Sequence, residues 1–117
     1  MGASVLIVDD HAGFRAHARR FLECEGYRVV GEAADSASAL QAARELAPDF
    51  VLVDVYLPDE DGFELTSRLE ALDNPPAVVL TSSHDRAELE PCVADSAARG
   101  FVSKSELSRK TIEELLA

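Results

Sequence analysis

Apolar residues along the chain fall into two alternating patterns. Short, Val-rich runs occur at Val5–Val8, Val51–Val53 and Val78–Leu80 and around Phe101–Val102, with Arg28–Val29–Val30–Gly31 as a weaker fifth. Each is bounded by polar or turn residues, as strands buried on both faces are. Between the runs, apolar positions recur at helical intervals. Phe14, Ala18, Phe21 and Leu22 share one helical face, and Gly26 offers a left-handed stop after them. Leu40, Ala43 and Ala47 line a second helix, with Asp35 or Ser36 to cap its start and Pro48 to end it. Phe63, Leu65, Leu69 and Leu72 mark a third, closed by Asn74-Pro75-Pro76, and Ile112, Leu115 and Leu116 a last one capped by Ser105 or Ser108. Another helix is expected over roughly Arg86 to Ala98. Pro91 in its interior would cost about 3 kcal/mol or more, so a late start is predicted, with Pro91 in the first turn and Ser82 to Glu88 as a longer loop.

Strand and helix thus alternate five times. The pattern predicts an α/β protein, a doubly wound, five-stranded parallel sheet with helices on both faces and right-handed crossovers. No linker, repeat or low-complexity stretch interrupts it, so residues 1–117 are expected to form one domain.

Composition narrows the partners. Hydrophobic residues at 47% and charged residues at 28% belong to a globular rather than a disordered chain. Acids outnumber bases 22 to 11, for a formal net charge of -11. Such a surface repels phosphate backbones and anionic lipid, so direct nucleic-acid binding is not expected. No apolar run has membrane-spanning length, no charged leader precedes an apolar stretch, and Leu6 breaks the myristoylation pattern. Cys24 and Cys92 have neither metal-ligand spacing nor the number for a disulfide framework, and the topology puts them on opposite faces of the sheet. A reducing, cytoplasmic setting is the expectation.

Ligands of open parallel sheets gather at the carboxyl ends of the strands. Those ends carry Asp9 and Asp10 after the first strand, Asp54 after the third, Thr81 after the fourth and Lys104 after the fifth. Singly, each has a plain structural explanation: Asp10 could cap the helix beginning near Ala12, Thr81 could be a strand-end hydroxyl, Lys104 a solvated surface lysine. Together, at one end of alternate elements, they form a constellation. Packed carboxylates repel one another and raise their own pKa values unless a cation intervenes, and their hard oxygens suit Mg2+. Asp59, Glu60 and Asp61 read instead as loop solvation and helix capping, and Gly62 as close-packed backbone. His11, His17 and His84 show no convergent spacing; His11 and His84 could rim the crevice, but surface roles are expected.

Four stretches, "VLIVDDHAGFR", "PDFVLVDVYLPDEDGFEL", "AVVLTSS" and "ARGFVSKSEL", resemble in order and spacing the signatures of the response-regulator receiver domain of two-component signalling. The resemblance covers nearly the whole chain. It implies a flavodoxin-like sheet of order 2-1-3-4-5. It also implies that Asp54 is the phospho-acceptor and that Asp9 and Asp10, with Asp54 and the backbone carbonyl of Tyr56, hold Mg2+. Thr81 and Lys104 would contact the phosphoryl oxygens, and Phe101 would be the switch aromatic, expected inward because it lacks a tyrosine hydroxyl. Phosphorylation would switch a surface made by the fourth helix, fifth strand and fifth helix. The implied partners are a sensor histidine kinase or histidine phosphotransfer protein, a downstream protein or output domain, and a second copy in a phosphorylation-dependent homodimer.

Three positions depart from the family pattern. Ser105 replaces the frequent proline after the lysine, so a trans bond is expected there, and a non-proline is similar to the branch whose receivers precede a helix-turn-helix domain. Pro91 alters the fourth helix and with it the output surface. Tyr56 stands near the path of hydrolytic water, which predicts slow loss of the phosphoryl group. Such a domain is not an enzyme beyond its own phosphorylation and dephosphorylation. Two rival classes are a phosphorylation-independent interaction module and an aspartyl-phosphate hydrolase; Tyr56 stands where such hydrolases commonly place a second acid.

Overall fold

A computed structural model describes residues 2–83 and 91–117. Five strands, β1 (Ser4–Val8), β2 (Arg28–Ala33), β3 (Phe50–Asp54), β4 (Ala77–Ser82) and β5 (Gly100–Ser103), pair in parallel in the order β2-β1-β3-β4-β5. The interior strands β1 and β3 are buried along their whole length, which is why they read as unbroken apolar runs, whereas β2 is an edge strand and is partly or fully exposed up to Ala33. Its pairing with β1 slips by one residue between Val5 and Leu6.

Period-two alternation divides the core between the two faces of the sheet. Val5, Ile7, Phe50, Leu52, Val79 and Val102 pack with Ala18 and Leu22 of α1 (Ala12–Cys24) and Ile112 of α5 (Arg109–Leu116). Leu6, Val8, Val51, Val53, Leu80 and Phe101 pack with Ala39 and Ala43 of α2 (Ser36–Leu46) and Leu65 and Leu69 of α3 (Gly62–Glu70). Residues 91–94 are helical and are labelled α4; Val93 packs on this second face. Cys24 and Cys92 therefore lie on opposite faces, both exposed and unpaired.

The helix ends follow local chemistry. α1 closes with Gly26 at φ +93, its N–H bonded to the Glu23 carbonyl at 3.1 Å and the next N–H, of Tyr27, to Leu22 at 3.0 Å. This left-handed stop satisfies carbonyls that the helix leaves open. Asp35 caps α2 by accepting from the Ser38 N–H at 2.8 Å, and Ser108 with Thr111 forms a capping box at α5.

Some expectations need correction. Ala47 is not on the buried line of α2; it is an exposed left-handed cap at φ 45, because the residue before Pro48 is excluded from the helical region. α3 stops at Glu70, short of Asn74, and Leu72 packs from the turn beyond. Ser82 belongs to β4 rather than to a loop. The rest of the expected loop to Glu88, the predicted start of the fourth helix and His84 lie outside the described residues, apart from Ser83. The helix does not reach Ala98: Ser96 donates its hydroxyl to the Val93 carbonyl at 2.8 Å and accepts from the Ala98 N–H at 3.2 Å, diverting the backbone from helical bonding. The Lys104–Ser105 peptide is trans, as expected. Among the described residues no helix is long and apolar enough to cross a membrane.

Candidate functional site

The carboxyl edge of the sheet is where β1 and β3 run into acids. The Asp9 N–H continues the ladder by donating to the Ala33 carbonyl at 3.0 Å, which fixes its side chain at the strand end with 0% exposure. Asp9 Oδ1 accepts from the His11 N–H at 2.8 Å, a local turn bond that Asp favours. Asp10 follows, more exposed, and does not cap α1; the cap position is His11, whose side chain makes no capping bond. Its imidazole Nδ1 instead lies 3.1 Å from both Asp9 Oδ1 and Asp10 Oδ1. One turn into α1, Arg15 donates from Nη1 to the Asp9 carbonyl at 2.7 Å and from Nε to Glu32 at 3.2 Å, and Glu32 also receives Arg19 at 2.6 Å. The two arginines hold the Glu32 carboxyl below the usual carboxylate range, the bond from Arg19 contributing most.

Asp54 closes β3 at 4% exposure. The Tyr56 N–H donates to its Oδ1 at 3.1 Å, while the Val55 N–H donates to the Thr81 carbonyl at 2.9 Å and extends the β3–β4 ladder. The chain then folds back, Tyr56 bridging Asp61, so that Gly62 lies against the strand end. A Cβ on Gly62 would stand 2.6 Å from the Asp54 carbonyl oxygen, so only glycine admits this approach without displacing backbone. Asp59 accepts from the Ser36 and Ala37 N–H groups, Glu60 bonds the Ser36 hydroxyl and Arg68, and Asp61 caps α3 through the Glu64 N–H. These three acids are thus occupied with helix ends, as expected from the sequence.

Lys104 arrives from the far side, opening the 3-10 turn Lys104–Glu106 after β5. Its Nζ lies 2.7 Å from Asp9 Oδ2, 3.4 Å from Asp54 Oδ2 and 4.4 Å from the centre of the Phe14 ring. Thr81 pairs with Asp54 across β3–β4, and its buried Oγ1 has no hydrogen-bond partner among the described residues. Asp9 Oδ2 has the Lys104 ion pair but no bond that meets hydrogen-bond geometry. Burial raises the Asp54 pKa above the ordinary carboxylate value; the Tyr56 N–H opposes that shift, the Asp9 charge adds to it, and Lys104 offsets part of it. Single ligand atoms from Asp9, Asp10, His11 and Asp54 all fall within 4.8 Å of one another.

The fold therefore brings together Asp9, Asp10, Asp54 and Lys104, with Thr81 beside Asp54. Phe101 is set apart from that crevice: it pairs with Leu80 and is buried in the core, in the inward position expected. Tyr56 is 47% exposed. His11 rims the crevice and is largely exposed, as the sequence allowed, whereas sequence reasoning missed Arg15, Glu32 and Phe14. Helical spacing from His11 could have pointed to Arg15. The Glu32 clamp depends on the β1–β2 register and has no signal in the sequence.

A doubly wound sheet of this order, with acids, a hydroxyl and an ammonium at its carboxyl edge, defines the class of receiver-like domains. The chain matches the response regulator receiver domain over residues 5–116 and belongs to that family. It is 39% identical over 114 residues to a proposed transcriptional regulator of Pseudomonas aeruginosa, covering 97% of this chain and 53% of the relative. It is 32% identical over 115 residues to the transcriptional regulatory protein LiaR of Bacillus subtilis, covering 97% and 54%. Among solved structures, a two-component response regulator of the LuxR family from Aurantimonas superposes with a TM-score of 0.88 at 33% identity, over 99% of this chain and 86% of that one. The chain spans about half the length of the curated relatives it matches.

Proposed function

We propose that this receiver takes a phosphoryl group onto Asp54 from a phosphohistidine on a sensor kinase or phosphotransfer protein, and that the acyl phosphate resets a protein-binding surface. The observation that carries the reading is the poised but incomplete environment of Asp54. A buried carboxylate has an ammonium 3.4 Å away and, paired with it on β4, a residue whose buried hydroxyl is unpartnered among the described residues.

One Asp54 carboxylate oxygen attacks phosphorus, the P–N bond breaks, and the imidazole leaves with that electron pair and takes up a proton. The Tyr56 N–H holds Oδ1, which leaves Oδ2, on the Lys104 side, as the attacking atom. Lys104 meets the charge on the transferred oxygens as a compact cation, and Thr81 Oγ1 gains in a phosphoryl oxygen the acceptor it lacks.

The crevice fits Mg2+: Asp9, Asp10 and Asp54 each offer a hard carboxylate oxygen within 4.8 Å of the others, and Lys104 alone does not balance their charge. Asp9, Asp10, Asp54 and the Tyr56 carbonyl would hold the ion, which when bound supplies charge compensation to the phosphoryl oxygens. As Thr81 moves toward the phosphoryl group it vacates space, and Phe101 adjusts within the core behind it. That shift biases the surface of α4, β5 and α5 toward an output domain, a downstream protein or a second copy. The names of the relatives favour a transcriptional output, with this acidic domain making no DNA contact itself.

Incubation with acetyl phosphate and Mg2+ followed by intact mass tests the reading. One phosphoryl adduct is expected, absent in Asp54→Ala and absent in EDTA. No adduct would leave an interaction module, and turnover of ester substrates a hydrolase.

A further inference from the structure

We infer that Arg15 is a positioning residue for the cation site: it holds the peptide between Asp9 and Asp10 so that both carboxylates face the crevice. The inference rests on the reading of the crevice as an Mg2+ site and adds a residue to it. Arg15 donates from Nη1 to the Asp9 carbonyl at 2.7 Å while its Nε reaches Glu32 on β2 at 3.2 Å. That carbonyl lies one residue past the end of β1 and accepts no backbone N–H among the described residues. Its peptide is therefore fixed by the guanidinium and not by the sheet. A fork of donors spans two acceptors at once, which fits arginine at this position. Glu32 anchors the grip from the edge strand, taking Arg15 and Arg19 together.

The consequence falls on Asp10. Asp9 is fully buried, and its side chain is held by the His11 N–H and by Lys104. The Asp10 side chain is 38% exposed, and its one polar contact among the described residues is the His11 ring. Its direction thus follows from its backbone, whose N–H belongs to the peptide that Arg15 grips. Loss of a group that orients metal ligands typically costs about 10–100-fold in metal affinity. Charge alone makes the opposite prediction. Arg15 is a cation beside a cation site, so its removal would tighten Mg2+ binding if repulsion decided the outcome. The sign of the change separates the two.

The test is titration of the 117-residue protein with Mg2+, followed by backbone amide shifts. Arg15→Met keeps the stem and removes the fork. Arg19→Met is the control: it also takes an arginine on α1 away from Glu32, but Arg19 has no bond to Asp9 among the described residues. Arg15→Met is expected to bind Mg2+ about tenfold more weakly than wild type, and Arg19→Met to stay within about twofold of it. In EDTA, the Asp10 amide resonance should move in Arg15→Met and stay in Arg19→Met. The double variant Arg15→Met/Glu32→Gln leaves the net charge unchanged and neither ion of the pair behind, so it decides the matter should the single variant not fold; the same loss is expected. Unchanged or tighter Mg2+ binding in these Arg15 variants, or an equal loss in Arg19→Met, would overturn the inference while leaving the Mg2+ reading in place. Failure of wild type to bind Mg2+ would remove that reading and the inference with it.

Discussion

Replacing Lys104 with methionine isolates the electrostatics of the crevice, because the stem is kept and only the ammonium is lost. Nζ lies 2.7 Å from Asp9 Oδ2 and 3.4 Å from Asp54 Oδ2, and all three groups are largely or fully buried. At an effective dielectric of about 20 these separations correspond to gross attractions of about 6 and about 5 kcal/mol. Desolvation of the ions offsets much of that, and removal of one partner from a buried pair costs about 3–5 kcal/mol, chiefly through the charge left uncompensated. A domain of this size has total stability of about 5–15 kcal/mol, so the loss is large on that scale. Urea unfolding in EDTA at pH 7.5 should show the midpoint falling accordingly, with no change in slope.

The pH dependence carries a sign. The folded-state pKa of Asp54 is raised, first by burial and then by Asp9, so the folded state binds this proton more tightly than the unfolded chain does. The resulting stabilisation is complete below the ordinary carboxylate pKa and is lost as pH rises through the folded value. Removing Lys104 raises that folded value further. The gap between wild type and Lys104→Met should therefore be widest at neutral pH and narrow as pH falls into the carboxylate range. Saturating Mg2+ should rescue the variant more than wild type, since the dication meets no competing ammonium; at a hundred times Kd the rescue is about 2.7 kcal/mol. A variant as stable as wild type in EDTA, or a gap that does not change with pH, would refute the reasoning.

Gly62→Ala should destabilise by about 1–3 kcal/mol and slow phosphorylation together, because its Cβ meets the Asp54 carbonyl at 2.6 Å and Val55 Cα at 2.9 Å; unfolding and acetyl-phosphate labelling read the two effects. Ala47→Gly should stabilise by about 1 kcal/mol, as glycine tolerates the φ of 45 that alanine adopts before Pro48, and should leave labelling unchanged. Glu32→Gln frees Arg15 from its clamp and should weaken Mg2+ binding several-fold with less than about 1 kcal/mol lost in stability, measured by titration beside a thermal melt. Tyr56→Asn should shorten the lifetime of the phosphoryl adduct followed by intact mass; an unchanged lifetime would count against shielding by the exposed ring.

The alternation of strand and helix was legible because β1 and β3 are buried on both faces, so their residues carry an unmixed apolar signal, whereas the strand order came from the family resemblance. The crevice was legible for a related reason. Where a buried strand ends, an acid has no structural need to be there, and Asp9 and Asp54 therefore stood out against Val8 and Val53. Less could be read where two influences compete. Ala47 has the apolar spacing of a helix position, but Pro48 overrides it. Ala98 looks helical by spacing, but the Ser96 side chain takes up backbone groups first. Helix capping, the plain alternative for Asp10, does not hold, because the Asp9 side chain holds the His11 N–H and the cap position falls to His11. The Arg15–Glu32 clamp was beyond reach, because its partners meet only after β2 has paired with β1 through an irregular register.

Charge balance explains why the crevice tolerates its own composition. Asp9, Asp10 and Asp54 bring three negative charges when ionised, and Lys104 returns one, so the metal-free crevice has an excess of two. Phosphorylation on the proposed route removes the charge of one carboxylate and adds about two from the phosphoryl oxygens. Without a further cation the product would hold about three uncompensated charges around a buried strand end, where each unpaired ion costs several kcal/mol. A dication lowers that excess to about one, the Lys104 charge being already counted, and the Thr81 hydroxyl can meet it through a hydrogen bond to the oxygens. Mg2+ and the phosphoryl group should accordingly stabilise each other, each binding more tightly in the presence of the other by the same factor. Adduct lifetime and Mg2+ affinity must then rise together, so an adduct that persists equally well in EDTA and in Mg2+ would mean that the crevice is balanced by some other group.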